Sequence, residues 1–197
     1  MIKPHLPRQT IDIFEYLNKG HFISEDSNDE RLKELYRVID EENRYEQLHE
    51  YFLHIGFSLE KGMGYYYFSR KENKADLERK IERAYQWIDI LDFLKTYGKS
   101  IDSTFTQGTI FSPHDIFEQY KINHLLAEKL DDLKRYYPVE KPFERIEKII
   151  KTLKDETFIE KCNEFTNEYK ILAAFHYLEK LVMAINITTD EHDEISQ

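Results

Sequence analysis

A chain of 197 residues and 23.9 kDa has room for one fully cored domain or two small ones, since domains run from roughly 50 to 250 residues. Hydrophobic residues at 41%, charged residues at 34%, 14 Tyr and 13 Phe describe a folded protein with a substantial core and exclude a disordered chain. With 28 basic against 38 acidic residues the net charge is -10, which weighs against coating nucleic acid through bulk positive charge and leaves only a local basic patch open.

Cys162 is the single cysteine, so an intramolecular disulfide, a cysteine zinc site and an iron-sulfur cluster all lack ligands. The N-terminal MIKPHLPRQTIDIFEYL has no apolar signal core, and no window approaches the roughly 18 to 20 apolar residues of a membrane span. The expectation is a cytoplasmic protein with no membrane attachment, in which the acceptor-like Asn186-Ile187-Thr188 never meets the glycosylation machinery.

Ile11, Ile13, Phe14 and Leu17 predict a short helix closed by Asn18-Lys19-Gly20, and residues 21–28 read as a loop. Ser27-Asn28-Asp29-Glu30 has the form of a capping box that starts a second helix, with Leu32, Leu35, Tyr36 and Ile39 on its apolar side. A third helix presents Tyr45, Leu48, Phe52 and Ile55 and ends at Gly56. Residues 57–60 and 65–68 then form two strands around Lys61-Gly62-Met63-Gly64, so three helices and a hairpin match the order of a winged helix.

From about Asn73 to Tyr97 a long helix repeats Leu77, Ile81, Ala84, Ile88, Leu91 and Leu94, with Trp87 and Ile90 off that stripe and pointing to a second buried face. After a loop over 98–109, Ser112-Pro113-His114-Asp115 caps a helix carrying Ile116, Phe117 and Tyr120. Leu125, Leu126, Leu130 and Leu133 mark another, Phe143, Ile146, Ile149, Ile150 and Leu153 the next. Phe158, Cys162, Phe165, Tyr169, Leu172, Phe175, Leu178, Val182 and Ile185 extend the helical spacing as one helix or two, before an acidic disordered tail over 188–197. Asp12-Ile13-Phe14-Glu15 recurs as Asp115-Ile116-Phe117-Glu118, which favours two related domains although the second copy lacks an equally clear hairpin. The fold class is therefore mainly α with small β-hairpin wings, as tandem winged-helix domains with long linking and C-terminal helices. Its parts are an N-terminal winged-helix domain over 1–72, a linking helix over 73–98, a C-terminal winged-helix-like domain over 99–187 and the tail.

Chemistry is sparse. The eight histidines form no metal or triad spacing, and HExxH, GxSxG and the P-loop are absent. Asp12/Glu15, Asp89/Asp92 and Asp115/Glu118 read as solvated carboxylate pairs, and Gly62-Met63-Gly64 as a turn rather than a phosphate cradle. Catalytic residues, metal ligands and cofactors are accordingly expected to be none.

The strongest charge anomaly is the window 134–154, where Lys134, Arg135, Lys141, Arg145, Lys148, Lys151 and Lys154 face only Glu140, Glu144 and Glu147. Lys134, Arg135, Lys141, Arg145, Lys148 and Lys151 are the candidate DNA contacts, with a solvated face or a surface for an acidic protein partner as the competing readings. Lys61, Arg70 and Lys71 make a second small basic cluster beside the wing tyrosines. With 27 Tyr and Phe and no catalytic constellation, a protein-binding role has broader support, and Tyr16, Phe22, Tyr36, Tyr51, Tyr65 and Tyr67 are the candidate interface residues.

The segments IFEYLNKGHFIS, LKELYRVI, YEQLHEYFLHIGFSLEKGMGYYYFSR and LERKIERAYQWIDILDFL, clearest over residues 10–97, resemble the small winged-helix subunit of MukBEF/MksBEF-type bacterial condensins. FSPHDI and YKILAAFHYLEKLVMAINI extend that resemblance over most of the chain. The resemblance implies a non-enzymatic homodimer that binds a kleisin, which links it to an SMC-like ATPase. It further implies that DNA is met through the assembled complex at the nucleoid, in chromosome organisation and segregation or in defence against foreign DNA. A stand-alone winged-helix transcription regulator is the alternative, and an enzyme a distant third class.

Overall fold

The computed structural model describes residues 6–71 and 74–183. Predictions on Ile185, Asn186-Ile187-Thr188 and the tail over 188–197 lie outside the described residues, as does the side chain of Leu77. The elements are α1 (Thr10–Leu17), β1 (Ile23–Ser24), α2 (Glu30–Asp40), α3 (Arg44–His54), β2 (Ser58–Lys61), β3 (Tyr65–Ser69), α4 (Lys74–Ser100), β4 (Ile110–Phe111), α5 (Pro113–Ile122), α6 (His124–Asp132), a 3-10 turn (Leu133–Arg135), α7 (Pro142–Asp155), β5 (Ile159–Asn163) and β6 (Glu168–Ile171). A further helix, α8, occupies 175–183. The described chain is thus mostly helical with two three-stranded antiparallel sheets, ordered β1-β3-β2 and β4-β6-β5.

Local chemistry sets most boundaries. Gly20 and Gly56 adopt positive φ just beyond α1 and α3, as a helix-ending glycine does. The N-cap of α2 is Asp29, whose carboxylate accepts from the Arg31 amide, and not Ser27, whose hydroxyl accepts from the Asp29 amide and donates across the molecule to Glu160. Ser112 and Asp115 form a reciprocal capping box at α5, with Pro113 where a missing amide costs nothing. In the first hairpin Gly62 is required, because a Cβ there would sit 2.0 Å from the Tyr65 ring.

Two predicted features are corrected. Residues 158–174 are not helical: they run through the β5–β6 hairpin and the turn after it, so the second half also carries a hairpin. The three- and four-residue spacing of Phe158, Cys162, Phe165, Tyr169 and Leu172 mimics a helix, yet the Asn163 carboxamide accepts from the Phe165 and Thr166 amides and Asn167 takes a positive φ, turning the chain back. Phe165 stands fully exposed at that tip. The repeated DIFE tetrapeptide also falls on non-equivalent elements, since α1 precedes the first strand of its sheet whereas α5 follows the first strand of the other.

Strand alternation explains how the halves pack. Successive side chains of a strand face opposite sides, and the first sheet uses both. Ile23, Leu59, Tyr66 and Phe68 face the core formed with α1, α2 and α3. Phe22, Tyr65 and Tyr67 face a second core built by α4, α5, α6, α7, the second sheet and α8. The long helix α4 belongs to that second core: Ala84, Trp87, Ile90, Leu91, Phe93, Leu94 and Tyr97 are buried, while Ile81 of the predicted stripe is exposed and the helix runs on to Ser100.

Candidate partner-binding groove

The two halves are fastened by polar contacts around the loop after β1. The Asp26 carboxylate accepts from the Ala173 amide at 3.0 Å and the Gln107 carboxamide at 3.1 Å. Glu160 accepts from the Ser27 hydroxyl at 2.9 Å and the Asn28 amide at 2.6 Å, and Lys170 donates to Asn28 Oδ1 at 2.8 Å and to the Asp26 carbonyl. On the adjoining edge the Phe22 amide donates to Thr157 Oγ1 at 2.8 Å. Each bond spans more than 80 residues of sequence, so these contacts fix one half against the other.

Beside this clasp the halves leave a cavity of about 220 Å³ whose walls come from the loop after α1, β3, α4, the connection between α7 and β5, and α8. Its floor is aromatic: Phe22 lies 5.0 Å from Tyr177 and 5.1 Å from Phe158, Tyr67 lies 5.1 Å from Tyr177, and Trp87 meets Phe158 edge-on at 5.3 Å between ring centres. Shallower clefts continue it in both directions, one toward Lys19, Phe57 and Arg70 and the other toward Lys61, Gly62 and Lys180. Along this line the cations Lys19, Lys61, Arg70, Lys80, Arg83 and Lys180 meet one carboxylate, Glu156. Burial raises the Glu156 carboxyl above its ordinary pKa against the pull of Arg83, which pairs with it and lies over the Trp87 ring. Burial likewise pushes the Tyr67 hydroxyl up to about 12, with Tyr177 and Glu60 adding to it, so this phenol stays neutral and can donate or accept.

The sequence-derived interface residues divide accordingly. Phe22 and Tyr65 are not free surface; they are buried in the second core, because strand alternation directs them to the junction. Tyr67 is half-buried on the groove wall. Tyr16 and Tyr36 are half-buried against the first core, both hydroxyls pushed up to about 12 chiefly by burial. Tyr51 is exposed on α3.

The candidate DNA contacts are corrected at one position. Arg145 is 1% exposed and donates to the Leu130 carbonyl at 3.1 Å, Asp131 Oδ1 at 2.9 Å and the Val139 carbonyl at 2.6 Å. It lies four residues before Ile149 and so shares the buried face of α7, whereas Lys148 and Lys151 lie opposite. Lys134 pairs with Glu140, Arg135 with Asp89, Lys141 with Glu144 and Lys151 with Asp155; Lys148 and Lys154 are exposed without a salt bridge among the described residues.

Trp87, Tyr177, Lys80 and Arg83 escape the sequence reading as site residues, although Trp87 off the main stripe of α4 is the signal that its helix serves two faces. No cluster of three or more His, Cys, Asp or Glu suited to a metal ion occurs among the described residues, and no described helix is long and apolar enough to cross a membrane. The carboxylate pairs have structural partners: Asp12 with Arg31, Asp89 with Arg135 and Tyr136, Asp92 with Lys129, and Asp115 in its cap. An aromatic floor between basic rims offers burial to apolar side chains and attraction to acidic ones, which suits an extended acidic protein segment.

Among models of protein families, the one described as condensin complex protein MksE matches residues 8–182, from before α1 through almost all of α8. No curated protein matches the chain.

Proposed function

We propose a mode of action from one premise: the chain belongs to the MksE family of condensin complex proteins and is a non-catalytic condensin-associated subunit. Its role lies in an SMC-kleisin complex. Within that complex we assign it the task of holding a flexible kleisin segment, as a homodimer, and thereby setting the geometry of a separately encoded SMC-like ATPase, to which ATP hydrolysis belongs. The observation that carries this reading is the aromatic, basic-rimmed groove where the two halves meet.

The helix-strand-helix-helix-hairpin order of the first half, and the matching strand order of the second sheet, support a tandem winged-helix arrangement. We divide it as 1–72 and 99–187 with the helix over 73–98 between them. The protein works in the cytoplasm at the nucleoid, in chromosome organisation and segregation or in defence against foreign DNA. DNA is met through the assembled complex, for which Lys134, Arg135, Lys141, Lys148 and Lys151 supply exposed charge.

Affinity purification from the native cell followed by mass spectrometry tests the assembly. An SMC-like ATPase and a kleisin are the expected companions; recovery alone with one discrete operator DNA overturns the reading. Leu181→Glu, on the half-buried groove wall, should cut kleisin recovery at least about tenfold while leaving the circular dichroism spectrum unchanged.

A further inference from the structure

We propose that the outer face of α4 is a self-association seam and that its occupant is the same face of a second copy, running antiparallel about a two-fold axis. Spacing is the first argument. Ile81, Tyr85 and Ile88 recur at four and three residues, fall within about 60° of one another around the helix, and lie opposite the buried Ile90 and Leu94. From Ile88 onward the molecule itself covers this side: Ile88 is half-buried, Asp89 is held by Arg135 and Tyr136, and Asp92 pairs with Lys129 of α6. Ile81 and Tyr85 continue the stripe past the end of that cover and are 49% and 53% exposed. A helical stripe that is apolar throughout and covered along only part of its length is an unfinished helix-helix contact.

Charge selects a second copy as the cover. A chain of net charge -10 repels its own kind over most of its surface, so copies approach most easily where a face is balanced. Residues 78–83 read ERKIER, and their three cations are balanced by Glu78, Glu82 and, through its pair with Arg83, Glu156. In the antiparallel arrangement Ile81 of each copy lies on the partner's Tyr85, which makes the face self-complementary and closes the assembly at two copies. Beside Tyr85 an open cleft of about 670 Å³, bounded by Glu82, Gln86, Arg135 and Tyr136, gives the second helix room to approach. The groove takes Lys80, Arg83 and Ala84 from the neighbouring side of the same turns, and neither Ile81 nor Tyr85 lines it. The inference rests on the homodimer reading above and gives that dimer its surface.

Sedimentation velocity of the full-length chain over a concentration series tests the seam. The unaltered chain should form dimers, and Ile81→Glu with Tyr85→Glu should weaken them at least about hundredfold while the circular dichroism spectrum and Tm stay unchanged. Ile122→Glu, at an exposed isoleucine at the end of α5, should leave the dimer as it is. Orientation is read by cross-linking with a short bismaleimide in chains that also carry Cys162→Ser, which removes the single cysteine. A chain with Ile81→Cys should join a chain with Tyr85→Cys faster than either joins its own kind. A dimer unmoved by Ile81→Glu and Tyr85→Glu, or cross-links fastest between like chains, overturns the seam and leaves the homodimer reading standing. A chain that sediments as a monomer at every concentration, and is present as one copy in the purified assembly, overturns both.

Discussion

Replacing Arg145 with methionine removes a buried guanidinium that ties the α6–α7 connection to the first turn of α7. The Leu130 and Val139 carbonyls each lose a charged donor, at about 1 to 3 kcal/mol apiece for acceptors left without a partner. The pair with Asp131 adds only about 0 to 1 kcal/mol, because the Asp131 side chain is 69% exposed and water screens it. Methionine fills part of the volume left by the aliphatic stem, so the void is small. The expected loss is about 3 to 5 kcal/mol, read as a lower urea midpoint by far-ultraviolet circular dichroism and a drop in Tm on the order of 10 °C. Arg145→Lys keeps the charge but cannot fork to three acceptors, and falls between. Lys148→Met, on the exposed face of the same helix, should move stability by no more than about 0.5 kcal/mol. A loss below about 1 kcal/mol for Arg145→Met, with weakened DNA association of the assembled complex, would refute the structural role and restore Arg145 as a contact.

Gly62→Ala drives a methyl into the Tyr65 ring and should cost about 1 to 3 kcal/mol, with a changed near-ultraviolet spectrum as that ring leaves the junction. Asp26→Ala deprives the Ala173 amide and the Gln107 carboxamide of their acceptor. It should cost about 1 to 2 kcal/mol and speed hydrogen exchange at Ala173, leaving the α2–α3 amides protected. His21 has its pKa lowered, first by burial and then by Lys19, with Asp155 opposing. The unfolded chain therefore takes up this proton first, so stability falls as pH drops below about 6.5 and this contribution levels off beneath the lowered folded value. His21→Asn should flatten the difference in unfolding free energy between pH 7.5 and 5.5, and an unchanged slope would exclude His21 as its source.

Much of the helical framework is legible in the sequence because each helix writes its buried side at three- and four-residue spacing and ends on glycine or starts on a capping side chain. The second wing is not, since Phe158, Cys162, Phe165, Tyr169 and Leu172 carry helical spacing while Asn163 and Asn167 make the turn. The aromatic character of Tyr65 and Tyr67 suggests contact with a partner, whereas the pleat of β3 turns both toward the other half of the same chain. The groove is hidden for a different reason. Its walls are drawn from segments as far apart as Lys19 and Leu181, and no local pattern records that juxtaposition. Arg145 is misjudged because helical spacing places charges on a face without saying that the Leu130 and Val139 carbonyls wait there.

Phe22 packs on Phe158 and Tyr177, residues that leave the ribosome more than 130 positions later. At about 5 to 20 residues per second that interval is about 7 to 30 s, during which the nascent first half can close its own small core but must carry Phe22 and Tyr65 uncovered. Synthesis thus holds open a window in which chaperones, or a neighbouring nascent chain, compete for the same aromatic face that the second half finally covers.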